Sequence, residues 1–333
     1  MPDPAGGSVA PVPAIRPSRN DLKSLRICTI WSSFDAPAIR FQQPGEMPAA
    51  MCRFTFYLGH PVTLSSLLTE PAHSLINQSF AAREREEPLN GDGFGVAWYV
   101  PELNEEPARF RSISPAWSNS NLIELARVVR STCILAHVRA ATQHLAVMEA
   151  NCHPFKSGRF AFMHNGDIGG FDKLRRHVLT SLSDAGFDLV RGSTDSEHFF
   201  ALLMDELAGE DDAPGVSAIG AAFLRTIHRI RELQECYAPK EHIYLNAVIT
   251  DGERAAAVRY TSNDPSHASS LYLNQGRRYI CEDGICLMTD PSDHQSTAIV
   301  SSEPLSQDPS WSSIEPNTML LLEKGKVIDT LPI

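Results

Sequence analysis

The chain has no apolar run long enough to cross a membrane and no N-terminal pattern of a secretory signal, so neither a span nor an exported leader is read from it. It also lacks a basic excess. The formal net charge is −11, which argues against nucleic acid or an anionic membrane surface as the main partner. A phosphate-cradling glycine loop is missing too. The turn Gly91-Asp92-Gly93-Phe94-Gly95 has no Lys-Ser/Thr ending and the wrong spacing for a dinucleotide fingerprint. Seven cysteines are an odd number, with neither the spacing nor the second half-site of structural zinc. They read as reduced thiols in a cytoplasmic protein. The close pair Cys281 and Cys286 flanks Asp283-Gly284, a turn between two short strands. No cofactor or metal is expected.

What is present suits a folded domain. Hydrophobic residues make up 43% of 333 and charged residues 21%, enough for a core. Residues 1–51 stand apart, with eight prolines, five basic and four acidic residues and no sustained periodicity. They read as a tail, a propeptide or untranslated sequence ahead of a domain over 52–333.

After Cys52, the spacing predicts strands over Arg53–Leu58, Gly95–Val100, Cys133–Val138 and Arg159–His164. Helices are predicted over Leu64–Glu84, broken at Pro71, and over Asn121–Arg130, Asp172–Ala185, Thr194–Leu207 and Val216–Cys236. From His242 onward the pattern is again β. Strands, then helices, then hairpin-linked strands favour an α+β fold with antiparallel sheets over a doubly wound parallel sheet.

One residue carries unusual chemical potential. Cys52 follows Met51. A cysteine that becomes residue one has a free α-amine beside its thiol, so nucleophile and proton acceptor share a residue. Four polar clusters follow: His137-Val138-Arg139-Ala140-Ala141-Thr142, Asn151-Cys152-His153-Pro154, His164-Asn165-Gly166-Asp167, and Thr194-Asp195-Ser196-Glu197. Singly, each has a scaffold reading: a solvated strand-end arginine, a structural histidine, an Asn-Gly turn and a helix cap. Together they suit an α-amino acid head group. An arginine holds a carboxylate bidentately, an aspartate holds an ammonium, and an Asn side chain with a following Gly N–H forms an oxyanion hole. A thiol aimed further along such a ligand would meet the side-chain carbonyl of glutamine or a γ-glutamyl amide.

These motifs resemble those of the class II glutamine amidotransferases, N-terminal-nucleophile hydrolases with a four-layer αββα sandwich of two antiparallel sheets. The likeness runs from Cys52 to about Leu305. It is greatest to the stand-alone branch, on Met51-Cys52-Arg53-Phe54, the stretches 71–80 and 90–99, and Ser302-Glu303-Pro304-Leu305. The resemblance implies Cys52 as nucleophile, with Asn165 and Gly166 lining the oxyanion hole. It implies Arg139 on the α-carboxylate and Asp195 on the α-ammonium, with Thr142, His153 and His164 in the same substrate-binding motifs. Synthase-linked members typically carry Trp and His where this chain has Ala140 and Gln143, which favours a substrate other than free glutamine.

The expected partner is a small γ-glutamyl compound. A peptidase-like or synthase partner subunit is a further expectation, since too few residues follow Leu305 for an acceptor-activating domain. Three other readings are open: an ammonia-supplying glutaminase subunit, a non-catalytic binding protein on the same fold, and a thiol peptidase using Cys152 and His153 or another internal Cys–His pair. Adjacent residues on an extended segment point to opposite faces, so Cys152 and His153 make a poor nucleophile–base dyad.

Overall fold

The structure, a computed structural model, describes residues 52–84, 89–140, 147–210, 214–282, 284–290 and 296–333. The strands are β1 (Arg53–Thr63), β2 (Phe94–Val100), β3 (Asn104–Ser112), β4 (Arg130–Val138), β5 (Phe155–Ser157), β6 (Phe160–Ile168), β7 (Ile243–Thr250) and β8 (Arg254–Thr261). They continue with β9 (Tyr272–Gly276), β10 (Arg278–Glu282), β11 (Ile285–Thr289), β12 (Thr297–Ser301), β13 (Ser312–Ser313), β14 (Thr318–Glu323) and β15 (Lys326–Pro332). The helices are α1 (Ser65–Leu68), α2 (Leu75–Ala81), α3 (Ser120–Val128), α4 (Phe171–Ser181), α5 (Asp184–Leu189), α6 (Asp195–Leu207) and α7 (Val216–Tyr237).

Every strand pairing is antiparallel. One sheet runs β13-β9-β12-β1-β4-β2-β3 and the other β15-β14-β8-β7-β6-β5, with β10–β11 as a separate hairpin. Period-two alternation decides which face each side chain joins. On β1, Phe54, Phe56 and Leu58 enter the layer between the sheets, whereas Tyr57 faces the other way. On β6, Ala161 and Met163 face the first sheet while Phe160, Phe162 and Ile168 face α4, α6 and α7. Small residues (Ala97, Ala161, Ala255, Ala257, Ala298) recur in the inter-sheet layer. The outer face of the first sheet is covered by α1–α3 and the β10–β11 hairpin through Leu67, Leu75, Leu122, Tyr279 and Met288. Four layers result, as expected from the motifs.

Several boundaries differ from the sequence reading. The helix predicted over Asp172–Ala185 ends at Ser181, because Ser183 caps α5 by accepting from Gly186 N–H at 3.0 Å. The predicted helix reaching Arg130 stops at Val128, and Arg130 opens β4. Residues His164–Asp167 lie inside β6, not in a turn after it, since their backbone pairs with Leu245, Tyr244 and their neighbours on β7. β3 and β5 were not predicted. The reading of all seven cysteines as reduced is corrected at one pair: Cys281 and Cys286 face each other across the β10–β11 ladder and form a disulfide. The hairpin places these two residues in register, which a reading of the turn alone does not reveal.

Phe162 stacks on Phe199 and Phe200 at centroid distances of 5.8 and 5.6 Å and is fully buried. Phe162→Ala is therefore expected to cost about 3–5 kcal/mol in urea unfolding; a loss below ~1 kcal/mol contradicts this packing.

Candidate active site

Cys52 stands at the head of β1, a central strand of its sheet. The pairing of Arg53 with Val138 sets Cys52 level with Arg139 and Ala140 at the end of β4. Its half-buried Sγ lies 3.5 Å from the Ala140 carbonyl. The next residue anchors it. Arg53 donates from Nη1 to the Cys52 carbonyl at 3.0 Å and from Nε to Glu303 at 2.8 Å. The Glu303 carboxylate, 1% exposed, also accepts from His73 Nε2 at 2.6 Å and from the N–H groups of Arg83 and Glu84 at 2.9 and 3.2 Å. Burial alone would raise its pKa. The hydrogen bond from His73, the Arg53 charge and the Arg83 N–H outweigh that and bring it down to about 2. Ser302 completes the anchor, since its N–H donates to Phe54 O and its Oγ accepts from Phe54 N–H, both at 3.0 Å.

Strand β6 brings the second group. Asn165, 1% exposed, donates from Nδ2 to Ser302 Oγ at 3.4 Å, while its Oδ1 is buried without a hydrogen-bond partner. Ser302 thus links Asn165 to the strand that carries Cys52. Gly166 is required by space: a Cβ there would lie 1.9 Å from Tyr244 O and 2.6 Å from His164 Nε2. His164 Nε2 donates to that same carbonyl at 3.2 Å, so Nδ1 accepts from Ser196 Oγ at 2.9 Å. Asp195, the first residue of α6, accepts from Ile168 N–H at 2.9 Å and Ser196 N–H at 2.8 Å. Its helix is capped by Thr194, which accepts from Glu197 N–H, but Glu197 turns to the N–H groups of Arg191 and Gly192 and does not close the reciprocal box.

Arg139 completes the cluster. Gly93, at φ 116°, accepts from the Arg139 N–H at 2.8 Å, and the Arg139 carbonyl accepts from Asp92 N–H at 3.0 Å. The side chain is buried, and among the described residues its Nη1 has no hydrogen-bond partner. Nearby, the ring of His153, after which the peptide bond to Pro154 is cis, packs 4.3 Å from that of His137. Both ring nitrogens of His153 and Nδ1 of His137 are also unpartnered. Burial pulls His137 down to about 3 and His153 well below its usual value, the latter further lowered by His137, His164 and Arg139. His164 is lowered by burial as well, opposed by Asp195. All three imidazoles are therefore neutral at pH 7, and the positive charge beside Cys52 resides on Arg139. A buried guanidinium without a partner is suited to a carboxylate.

The Cys152 thiol points elsewhere, to Ser112 O and Met148 O at 3.7 Å each, and burial pushes its pKa up. Cys152 and His153 thus form no dyad. Asp167 is raised by burial and by the neighbouring carboxylates of Asp195 and Glu241. Thr142 lies outside the described residues. Among the described residues no cluster of His, Cys, Asp or Glu is grouped to hold a metal ion, and no helix is long and apolar enough to cross a membrane. Sequence reasoning assigned no role to Arg53, His73, His137, Ser302 or Glu303. The available signal was their place in the family-like stretches, which carried no chemistry until the fold joined them.

Residues 64–332 match the family described as glutamine amidotransferases class-II. The chain belongs to that family. This class II glutamine amidotransferase is 38% identical over 298 residues to the protein named probable glutamine amidotransferase DUG3 of Saccharomyces cerevisiae, across 84% of this chain and 83% of that one. It is 27% identical to the gamma-glutamyl-hercynylcysteine sulfoxide hydrolase of Mycolicibacterium smegmatis, across 84% of this chain and 99% of that one. Among solved structures, a glutamine aminotransferase class-II domain protein from Silicibacter pomeroyi superposes with a TM-score of 0.58 at 28% identity, over 85% of this chain and 99% of that one. The glutamine phosphoribosylpyrophosphate amidotransferase of B. subtilis shares the fold, with a TM-score of 0.53 at 15% identity over 84% of this chain and 49% of that one. The αββα sandwich of the N-terminal-nucleophile hydrolases, implied by the motifs, is the architecture observed. The family match starts downstream of Cys52, so the nucleophile's assignment rests on the site itself.

Two outcomes follow from this geometry. Gly166→Ala forces β6 from β7 and is expected to cost ~3 kcal/mol in urea unfolding; an unchanged midpoint contradicts the close approach. Stability is also expected to fall as pH drops below about 6.5. The unfolded chain then takes up protons on His137, His153 and His164 that the native state refuses. A further loss occurs between about 4.5 and 2, where the unfolded but not the folded Glu303 is protonated. A urea midpoint equal at pH 7 and pH 5 runs against this.

Proposed function

We propose that this class II glutamine amidotransferase hydrolyses the γ-glutamyl amide bond of a γ-glutamyl compound, with Cys52 as the first residue of the working enzyme. The observation that carries the reading is the unpartnered, buried Nη1 of Arg139, level with Cys52 across the β1–β4 ladder. It supplies the carboxylate receptor that a γ-glutamyl head group needs at the nucleophile. The names of the yeast and mycobacterial relatives, one an amidotransferase and one a γ-glutamyl hydrolase, support the same class of substrate.

In this reading the Cys52 α-amine (ordinarily about 7.7–8) takes the proton of the thiol (about 8.5). The thiolate attacks the γ-carbonyl carbon, and its electrons pass to the carbonyl oxygen, facing Asn165 Nδ2 and the Gly166 N–H. Collapse of the tetrahedral intermediate breaks the C–N bond as the ammonium returns its proton to the leaving nitrogen. Water then attacks the γ-glutamyl thioester, releasing glutamate and the thiol. Arg139 takes the α-carboxylate and Asp195 the α-ammonium, with His164 holding Ser196 against Asp195. His153 and His137, both neutral, wall the pocket beside Arg139. Ala140, where synthase-linked members carry Trp, leaves room for a γ-glutamyl compound larger than glutamine. Free glutamine hydrolysis for a separate synthase is the alternative that a substrate panel separates.

Cys52→Ala is expected to abolish glutamate release from every γ-glutamyl compound while retaining substrate binding by calorimetry; persisting turnover excludes Cys52 as nucleophile. Asn165→Ala is expected to lower kcat about 100- to 1,000-fold with KM little changed, and Arg139→Lys to raise KM at least ~10-fold through loss of the bidentate grip. An Arg139→Lys enzyme with wild-type KM contradicts the carboxylate assignment.

A further inference from the structure

The edge strands β3 and β5 close the two sheets on one side, and a cavity of about 220 Å³ opens between them, α6 and the loop after α5. That is below the roughly 300–1,000 Å³ of sites for drug-sized ligands, and it suits a small ion. Its charged lining is Arg109, Arg111, Lys156 and Arg191 against Asp188 and Glu197. Lys156 is bound to Glu106 at 3.1 Å, and Arg111 has Glu149 at 3.8 Å. Among the described residues, Arg109 and Arg191 are paired with no carboxylate. Glu197 accepts from main-chain N–H groups, of Arg191 at 3.0 Å and Gly192 at 2.5 Å, and forms no ion pair with either guanidinium, although its charge acts on Arg109. Burial, and then the charge of Arg111, draw Arg109 down to about 10, against the opposing charges of Glu149 and Glu197.

The two β3 arginines have a second contact. Arg109 Nη1 donates to Pro154 O at 3.2 Å and Arg111 Nη1 to Cys152 O at 3.0 Å, so they grip the loop carrying His153. Arg111 has its second terminal nitrogen toward Glu149, whereas Arg109 uses one nitrogen on Pro154 and keeps the rest of its fork for a ligand.

We propose that this cavity is a binding site for a small multivalent anion, a phosphoryl or dicarboxylate group, seated on Arg109 and Arg191. A planar fork and a second guanidinium lining one cavity suit a ligand that carries more than one negative charge, which a single carboxylate does not. The site does not depend on the hydrolytic reading.

The test is calorimetric titration of the full chain with inorganic phosphate, succinate and, as the monovalent control, acetate. One saturable site for phosphate or succinate is expected, with at least tenfold weaker binding of acetate. A response to phosphate alone identifies a phosphoryl ligand and one to succinate alone a dicarboxylate, and either supports the proposal. Arg191→Gln, which leaves the loop grip intact, and Arg109→Gln should each weaken binding at least tenfold while melting within a few degrees of the parent. No saturable binding at millimolar anion overturns the proposal. So does binding that survives both substitutions and is lost in Arg139→Lys, which would place the ion at the Cys52 site.

Discussion

The buried carboxylate of Glu303 ties together the parts on which the site depends. It joins Arg53 beside Cys52, His73 before α2 and the main chain at Arg83 and Glu84. Three segments between residues 53 and 84 thus converge on one charge more than two hundred residues away in sequence. Removing a partner from such a buried pair is costly because the remaining charge stays desolvated. Arg53 passes the constraint on, since the same guanidinium that meets Glu303 holds the Cys52 carbonyl. The neighbouring Ser302 pins Phe54 and reaches Asn165. The residue before Pro304 and the one before that therefore place Cys52 and Asn165 relative to each other.

The electrostatics of the pocket follow from burial. Three histidines, His137, His153 and His164, are held neutral, two of them packed ring to ring. Their neutrality leaves Arg139 as the charged member of the group, with an unsatisfied nitrogen. In the proposed reading a substrate carboxylate there would meet a cation already desolvated by the fold, so much of the desolvation cost has been met during folding. Asp195 is held by the Ile168 and Ser196 N–H groups at the start of α6, where the helix dipole also favours a carboxylate.

Much of this was legible in the sequence, and the gaps have physical causes. Strand and helix blocks, the capped start of α6 and the apolar face of α7 follow from periodicity and capping chemistry, which are local. Asn165-Gly166 reads locally as a turn. It lies within β6 because the backbone of β7 pairs with it and because only glycine fits against Tyr244 O. Glu303 and Ser302 could be quoted as part of a family-like stretch, but their role rests on contacts more than two hundred residues away in sequence. Arg109 and Arg111 on the unpredicted strand β3 carried no motif at all. The same holds for the Cys281–Cys286 bridge, which needs the hairpin register.

The central claim is that the working enzyme begins at Cys52. It is tested most directly by intact-mass and N-terminal determination of the active protein from its native host, after trapping with a glutamine-analogue electrophile that labels only turnover-competent nucleophiles. The account predicts a labelled species whose first residue is Cys52, with one adduct on its thiol. A labelled, active species in which Cys52 remains joined through an amide to Met51 would contradict it.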